Sequence, residues 1–160
     1  MKSVQDIVDL ASAYYGSAVL FAALDSGVFA AVAETDGSLA ALVSKTGASP
    51  RGLRLLLDAC VAEELLEKKL EKGEERYVNT PAGALALVPG GRADLTKAIG
   101  YNRDVYPAWG RLTEFVRTGS PVERPELHLG ADAARTKGFA ASMFGRAMGI
   151  GRGVIPMLGA

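Results

Sequence analysis

Apolar positions recur at helical spacing along most of the chain, and between Ser38 and Val88 they are punctuated as helix, helix, hairpin, helix. Ser38, after Asp36-Gly37, is a helix start and Gly47 a stop, with Leu39, Leu42, Val43 and Thr46 on one face. Ser49 then caps a second helix whose first position is Pro50, where the missing N–H costs nothing. Within SPRGLRLLLDACVA, the residues Leu53, Leu56, Leu57, Cys60 and Val61 make the apolar stripe, while Arg51, Arg54, Asp58 and Glu64 fall largely elsewhere. The run Leu65 to Leu70, the turn Glu71-Lys72-Gly73-Glu74 and the run Glu75 to Asn79 predict a hairpin with Leu66 and Tyr77 on its inner face. Thr80-Pro81 repeats the cap-then-proline start and launches AGALALV, which Pro89-Gly90-Gly91 ends.

Two helices joined by so short a turn, followed by a hairpin and a helix, have the order of a winged helix-turn-helix. Upstream of it, Val4, Ile7, Val8, Ala11, Tyr14, Tyr15 and Ala18 follow the i, i+3, i+4, i+7 rule and predict one continuous apolar face on a helix that begins the chain. A second helix, Ser17 to about Ser26, is apolar nearly all round; Gly27 interrupts it, and Val28, Phe29 and Val32 resume the stripe. Such helices need cover from more than one direction. A partner chain supplies it economically, which predicts a homodimer with an interwoven helical interface; packing within the chain's own domain is the alternative. The uncharged stretch Leu10 to Leu24 falls short of the ~18 to 20 residues that span a bilayer and is read as buried helix, with no membrane partner.

Downstream, Ala93 to Arg103 is expected as one helix and Tyr106 to Arg117 as another, with Pro107 in its first turn and Tyr106, Trp109, Leu112, Phe115 and Val116 sharing a face. TGSPVERPELHLGAD reads as a loop. Ala133 to about Met148 is helical in pattern, with Phe139, Met143 and Ala147 on one side and Phe144 and Met148 adjoining it. A stripe of Met and aromatic residues serves a core or grips a flat aromatic ligand. The organisation expected is therefore 1–92, helices plus winged helix, and 93–160, a helical segment.

Charge changes this picture. The chain carries 18 basic and 18 acidic residues, and the helix that would read DNA offers Arg51 and Arg54 against Asp58, Glu63 and Glu64. The wing, KKLEKGEER, is balanced as well. DNA affinity rests on phosphate neutralisation by Lys and Arg, so a nucleic-acid partner is not expected. With 49% hydrophobic residues but 7% aromatic, the composition favours close-packed helices, hence a mainly α fold. The single Cys60 excludes an internal disulfide and lies on an apolar stripe. His128 stands between leucines with no ligand cluster around it and is read as structural, not as a metal ligand.

Catalytic signatures are missing: no GxGxxG, P-loop, GxSxG, HExxH or paired-cysteine pattern occurs. Gly149, Gly151 and Gly153 in AMGIGRGVIP lack the preceding strand that a nucleotide loop needs, and are expected to ease a bend or close packing within a helix. The start, MKSVQDIVDL, places Asp6 and Asp9 where a signal peptide wants an apolar run, which points to a cytoplasmic protein. The ending inside the apolar run IPMLGA reads as an interior point of a longer chain.

Taken in order, LFAALDSGVFAAV, SLAALVSKTGASPRGLRLLLDACVAEELLEK, the wing ending RYVNTPAG, NRDVYPAWGRL and FAASMFGRAMGIGRGVIPML resemble the N-terminal dimerisation domain of S-adenosylmethionine-dependent small-molecule O-methyltransferases, the group with plant phenylpropanoid, acetylserotonin and bacterial polyketide enzymes. The resemblance covers nearly all of the chain. It implies a homodimer through the N-terminal helices, a Rossmann-like methyltransferase domain beyond this sequence, and S-adenosylmethionine bound by that domain and not by this chain. It gives no catalytic base here, and His128 does not match that position. What it carries over is the acceptor side: Asn102, Tyr106 and Trp109 on one helix, and Phe139, Met143 and Met148 on another, as residues lining a pocket for a small aromatic acceptor. Trp109, Phe139 and the methionines would grip the ring, and Asn102 would orient a hydroxyl or carbonyl. The expected function is the dimerisation and acceptor-binding part of an O-methyltransferase, not catalytic alone. The alternatives are a stand-alone winged-helix regulator that binds DNA and a non-catalytic ligand-binding module.

Overall fold

The computed structural model describes residues 1–91, 93–123, 130 and 132–158. They divide into two compact units, Met1–Asp94 and Leu95–Ala160.

The first unit opens with α1 (Val4–Ser12) and α2 (Tyr14–Asp25), separated at Ala13. A capping box starts α1: Asp6 N–H donates to Ser3 Oγ at 3.1 Å, and Ser3 N–H donates back to Asp6 Oδ2 at 2.7 Å. At its end Ser12 Oγ turns back toward the Asp9 carbonyl at 3.2 Å, one way a helix comes to bend. Tyr14 and Tyr15, expected at the end of one long apolar helix, therefore begin the second, which starts three residues before the Ser17 expected for it. The buried helix expected over Leu10 to Leu24 is not buried in this chain: α1 has no buried residue and α2 only Ala23. Together they run from Val4 to Asp25, apolar and long enough by length and composition to cross a membrane, where the uncharged stretch alone was too short.

Gly27, in the left-handed region, turns the chain into α3 (Val28–Glu34), whose Val28, Phe29, Ala31 and Val32 are all buried. The winged helix follows as expected. Ser38 Oγ accepts from Ala41 N–H at 3.3 Å and opens α4 (Leu39–Thr46), and Gly47 closes it in a left-handed conformation. Ser49 and Pro50 open α5 (Pro50–Ala62), which buries Leu53, Leu57 and Cys60. Strands β1 (Leu66–Glu71) and β2 (Glu74–Asn79) pair antiparallel with Leu66 opposite Asn79 and Glu71 opposite Glu74. The turn is only Lys72-Gly73, both at positive φ, as a two-residue hairpin turn of mirror-image type demands. Thr80 then caps α6 (Pro81–Leu87). Leu66 and Tyr77, the inner-face pair, are both buried, and with Phe29, Leu42, Leu53 and Leu57 they make the core.

Gly37 fastens the loop before α4 to this sheet. Tyr77 N–H donates to the Gly37 carbonyl at 2.9 Å, and a Cβ on Gly37, at φ +73°, would stand 2.2 Å from the Tyr77 carbonyl oxygen. Asp36 beside it pairs with Arg76 of β2 at 2.9 Å.

The second unit holds α7 (Thr96–Trp109), α8 (Leu112–Thr118), α9 (Ala133–Val154) and a 3-10 turn, Ile155–Leu158. Two expectations are corrected here. The helices over Ala93 to Arg103 and Tyr106 to Arg117 are instead one helix through Trp109 and a short second one, with the break at Gly110-Arg111. Pro107 sits inside the last turn of α7. There its ring forfeits one helical hydrogen bond near an end, which a helix tolerates better than in its middle. The third helix, expected to about Met148, continues to Val154, so that Gly149, Gly151 and Gly153 are helical. Nothing within 4 Å would meet a Cβ at any of the three, so close packing among the described residues does not explain them. Helices α7 and α9 pack together at Ala98, which lies 3.4 Å from where a Gly145 Cβ would stand. They are tied by Ser142, whose buried Oγ is 2.5 Å from the Lys97 carbonyl and 2.9 Å from that of Gly138.

Candidate functional site

The six residues expected to line an acceptor pocket lie on the two helices they were assigned to, α7 and α9. Phe139 is half-buried, stacked edge-on against Tyr101 with ring centres 5.5 Å apart. Tyr101 was missed by the sequence reading. Its signal was there, because it falls three residues after the buried Ala98 on the same stripe of α7. The Arg146 guanidinium stands 5.8 Å from the centre of the Tyr101 ring, so that ring serves both an aromatic and a cation. Tyr106 and Met143 are half-buried, while Asn102 and Met148 are exposed.

Trp109, the last residue of α7, is 68% exposed. It lines a cavity of about 300 Å³ together with Ala108, Leu112, Phe115, Pro121, Val122 and Glu123. Of the six expected residues only Trp109 reaches this cavity. The face predicted for a single helix, Trp109 with Leu112 and Phe115, is thus assembled across the Gly110-Arg111 break, while Tyr106 and Val116 fall outside it. Arg111 braces the break: its Nε and Nη2 hold Glu114, and its Nη1 donates to the Val122 carbonyl at 2.9 Å. His128 lies outside the described residues.

In the first unit the charges of α5 are turned inward on the wing. Arg54 Nη1 reaches Glu75 Oε2 of β2 at 3.3 Å, and Asp58 receives both the Lys68 ammonium and the Tyr77 hydroxyl, the latter at 2.8 Å. Lys68 also lies 5.1 Å from the centre of the Tyr77 ring. The physical consequences are consistent: the Lys68 hydrogen bond draws the Asp58 carboxyl below its ordinary value, burial pushes the Tyr77 phenol up, and Asp58 holds the Lys68 ammonium protonated. Burial likewise pushes the Cys60 thiol up to about 11, which leaves it an inert core residue.

The third feature is apolar and open. Of the stripe read from the sequence, Val4, Ile7, Val8, Ala11, Tyr14 and Tyr15 are exposed, Val4 at 81%, and Ala18 is half-buried; Leu10, outside that stripe, is exposed as well. Contiguous apolar exposure on this scale marks a surface that something covers.

Comparison with known proteins decides what kind of domain this is. The family described as the O-methyltransferase dimerisation domain matches residues 8–89. The chain belongs to that family. Among curated relatives, the tetracenomycin polyketide synthesis 8-O-methyl transferase TcmO of Streptomyces glaucescens is 35% identical over 147 residues, 86% of this chain and 41% of the relative. The acetylserotonin O-methyltransferase of Mus musculus is 38% identical over 134 residues, 82% of this chain and 35% of the relative. The chain thus spans well under half the length of the relatives it matches. Among solved structures, human N-acetylserotonin methyltransferase in complex with SAM superposes with a TM-score of 0.65 at 34% identity, covering 74% of this chain and 37% of that one. An O-methyltransferase family protein from Burkholderia thailandensis, at 22% identity and a TM-score of 0.77 over 96% of this chain and 45% of that one, shares the fold. The dimerisation domain is therefore the part of the molecule that holds α1 and α2 from residue 8 onward, the wing and α6. The helices α7 to α9 lie outside the matched residues.

Proposed function

We propose that this chain is the dimerisation and acceptor-facing portion of a SAM-dependent O-methyltransferase that acts on a small aromatic or polyketide-like molecule, and that it pairs with a second copy through α1 and α2. The observation that carries the reading is the exposed apolar surface of Val4, Ile7, Val8 and Leu10 in a chain of the dimerisation family. A second copy covers it by the same surface on both subunits, as a two-fold interface requires. A membrane is the competing cover for helices of this length. Family membership favours protein, and so does Gly16, where a Cβ would stand 2.7 Å from Glu63 Oε2 and which thereby lets α2 lie close against the end of α5.

The acceptor reading draws on the Trp109 cavity, which is apolar, aromatic and large enough for a ring. The chemistry of transfer belongs elsewhere in the parent protein. Among the described residues the one sheet is a two-stranded hairpin, and Gly149, Gly151 and Gly153 are helical, so they do not form the strand-fed loop that holds a methyl donor. Against the regulator reading stands the wing contact itself: Arg54 and Lys68, which would neutralise phosphates, are engaged by Glu75 and Asp58.

Light scattering after size exclusion tests the pairing. The expected mass is that of two chains at micromolar concentration, falling to one in an Ile7→Asp, Val8→Asp variant that stays folded by circular dichroism, because neither side chain is buried within the single chain, and that melts lower for want of its partner. A monomer for the unaltered chain overturns the reading.

A further inference from the structure

We infer that the groove between α7 and the N-terminal half of α9 is a binding site for a small organic anion, a carboxylate in the first instance. It is separate in its lining from the Trp109 cavity and does not depend on the acceptor reading. The groove comprises two cavities of about 430 Å³ each, which share Arg103 and Asp104. The first is lined by Thr96, Lys97 and Gly100 of α7 and by Lys137, Gly138 and Ala141 of α9, among others; the second adds Pro107 and Arg135. A volume of this size suits a molecule of one or two rings.

The charge at the groove is what sets it apart from the rest of the molecule. The whole chain is neutral, with 18 basic and 18 acidic residues, yet among the described residues four cations line these two cavities against one carboxylate. Asp104 is held by the neighbouring Arg103, whose Nη2 lies 2.9 Å from Asp104 Oδ1 and whose Nε lies 3.1 Å from it. Among the described residues, that leaves Lys97, Lys137 and Arg135 with no carboxylate in the lining to answer them. Asp132 is spent on capping α9, accepting from Arg135 N–H at 2.9 Å, and does not line either cavity.

Small residues give the groove its floor. Gly100, Ala134, Gly138 and Ala141 leave the backbone approachable, and a Cβ on Gly138 would meet nothing within 4 Å. The floor is also fixed in place, because Ser142 bridges the Lys97 and Gly138 carbonyls across the seam. Lys97 and Lys137 thus rise from one rigid seam, Lys97 beside the bridged carbonyl and Lys137 next to Gly138. Two lysines lining one cavity with a floor of small residues are suited to a flat anion whose charged end takes more than one donor.

The test uses the full 160-residue chain and two probes of one shape, 1-naphthoate and its neutral counterpart 1-naphthamide, titrated by calorimetry at low salt. Naphthoate is expected to bind about tenfold tighter than the amide, the difference charge-assisted hydrogen bonds make. A Lys97→Ala, Lys137→Ala variant, both sites being exposed on helices, is expected to melt as the parent does and to bind the two probes alike. A Trp109→Ala variant is expected to leave the naphthoate preference intact, which separates this groove from the aromatic cavity. Equal affinity for acid and amide, no binding of either, or an undiminished preference in the double-lysine variant would each overturn the inference.

Discussion

The two units of this chain solve burial in opposite ways. In Met1–Asp94, large side chains from α3, α4, α5 and the hairpin meet in one core, with Phe29, Leu42, Leu53, Leu57 and Leu66 at or below 2% exposure. In Leu95–Ala160, the described residues that are buried are small: Ala98 and Ser142. None of its large apolar groups is buried among the described residues, and Trp109, Leu112, Phe115, Phe144 and Ile150 are exposed. A core of large residues can stand by itself. A seam of alanine, glycine and serine brings two helices close but buries little apolar area, so the second unit depends on what else comes to lie on it. The lesson is that stability and recognition are divided: the winged helix is the self-sufficient body, and the α7–α9 unit is a surface in search of contacts.

The sharpest way to break this contrast is Leu57→Ala. Leu57 is 0% exposed, and its loss leaves a cavity that should cost about 2 to 5 kcal/mol in urea unfolding followed by circular dichroism. Should the loss come out below 1 kcal/mol, the body is not the tightly packed core described above. Gly37→Ala comes next. The added methyl must enter at positive φ against the Tyr77 carbonyl, and a loss of about 2 kcal/mol, read as a lower melting temperature, is expected.

Tyr77→Phe removes the hydroxyl that Asp58 accepts, for an expected loss of about 1 kcal/mol, since the carboxylate keeps Lys68 and partial contact with water. The same cluster sets a pH dependence. Because the folded Asp58 titrates below its ordinary 3.8, its contribution is fully present above that value and is lost as pH falls through it toward the lower folded value. Asp58→Asn should therefore flatten the acid limb of stability below the ordinary carboxylate value of 3.8 while lowering the plateau. The smallest effect belongs to the other unit: Val116→Ser, at a site 73% exposed, should change unfolding free energy by no more than ~0.5 kcal/mol. A large change there would mean that α8 is covered within the single chain after all.

Much of the body was legible because its punctuation is local. Ser38, Ser49 and Thr80 cap the helices they were read to cap, Gly47 ends α4, and Leu66 and Tyr77 face inward. Each of these signals acts over three or four residues, within reach of a sequence pattern. The misreadings came where one residue type has two uses. Pro107 reads as belonging to the first turn of a helix, but proline is also tolerated near a helix end, and the break falls at Gly110. Ala13 carries no breaking signal, so the boundary between α1 and α2 depends on Ser12 and its back-bonding hydroxyl. The candidate sites were legible only in part. Trp109, Leu112 and Phe115 came together although the helix assumed for them is broken, since turn and helix both keep a short-range face. The basic groove was invisible because Lys97 and Arg103 stand more than thirty residues from Arg135 and Lys137, and their meeting is a property of the α7–α9 packing.

Helix α9 has a mechanical gradient along its length. Its front half is anchored by Ser142 and by Phe139 on Tyr101, whereas Gly149, Gly151 and Gly153 follow in open space. Each glycine sacrifices about 1 kcal/mol of helical preference relative to alanine, some 3 kcal/mol over the three. The helix is stiff where it meets α7 and yields more readily between Gly149 and Gly153, so a bend placed there leaves the ring of Phe139 where it is.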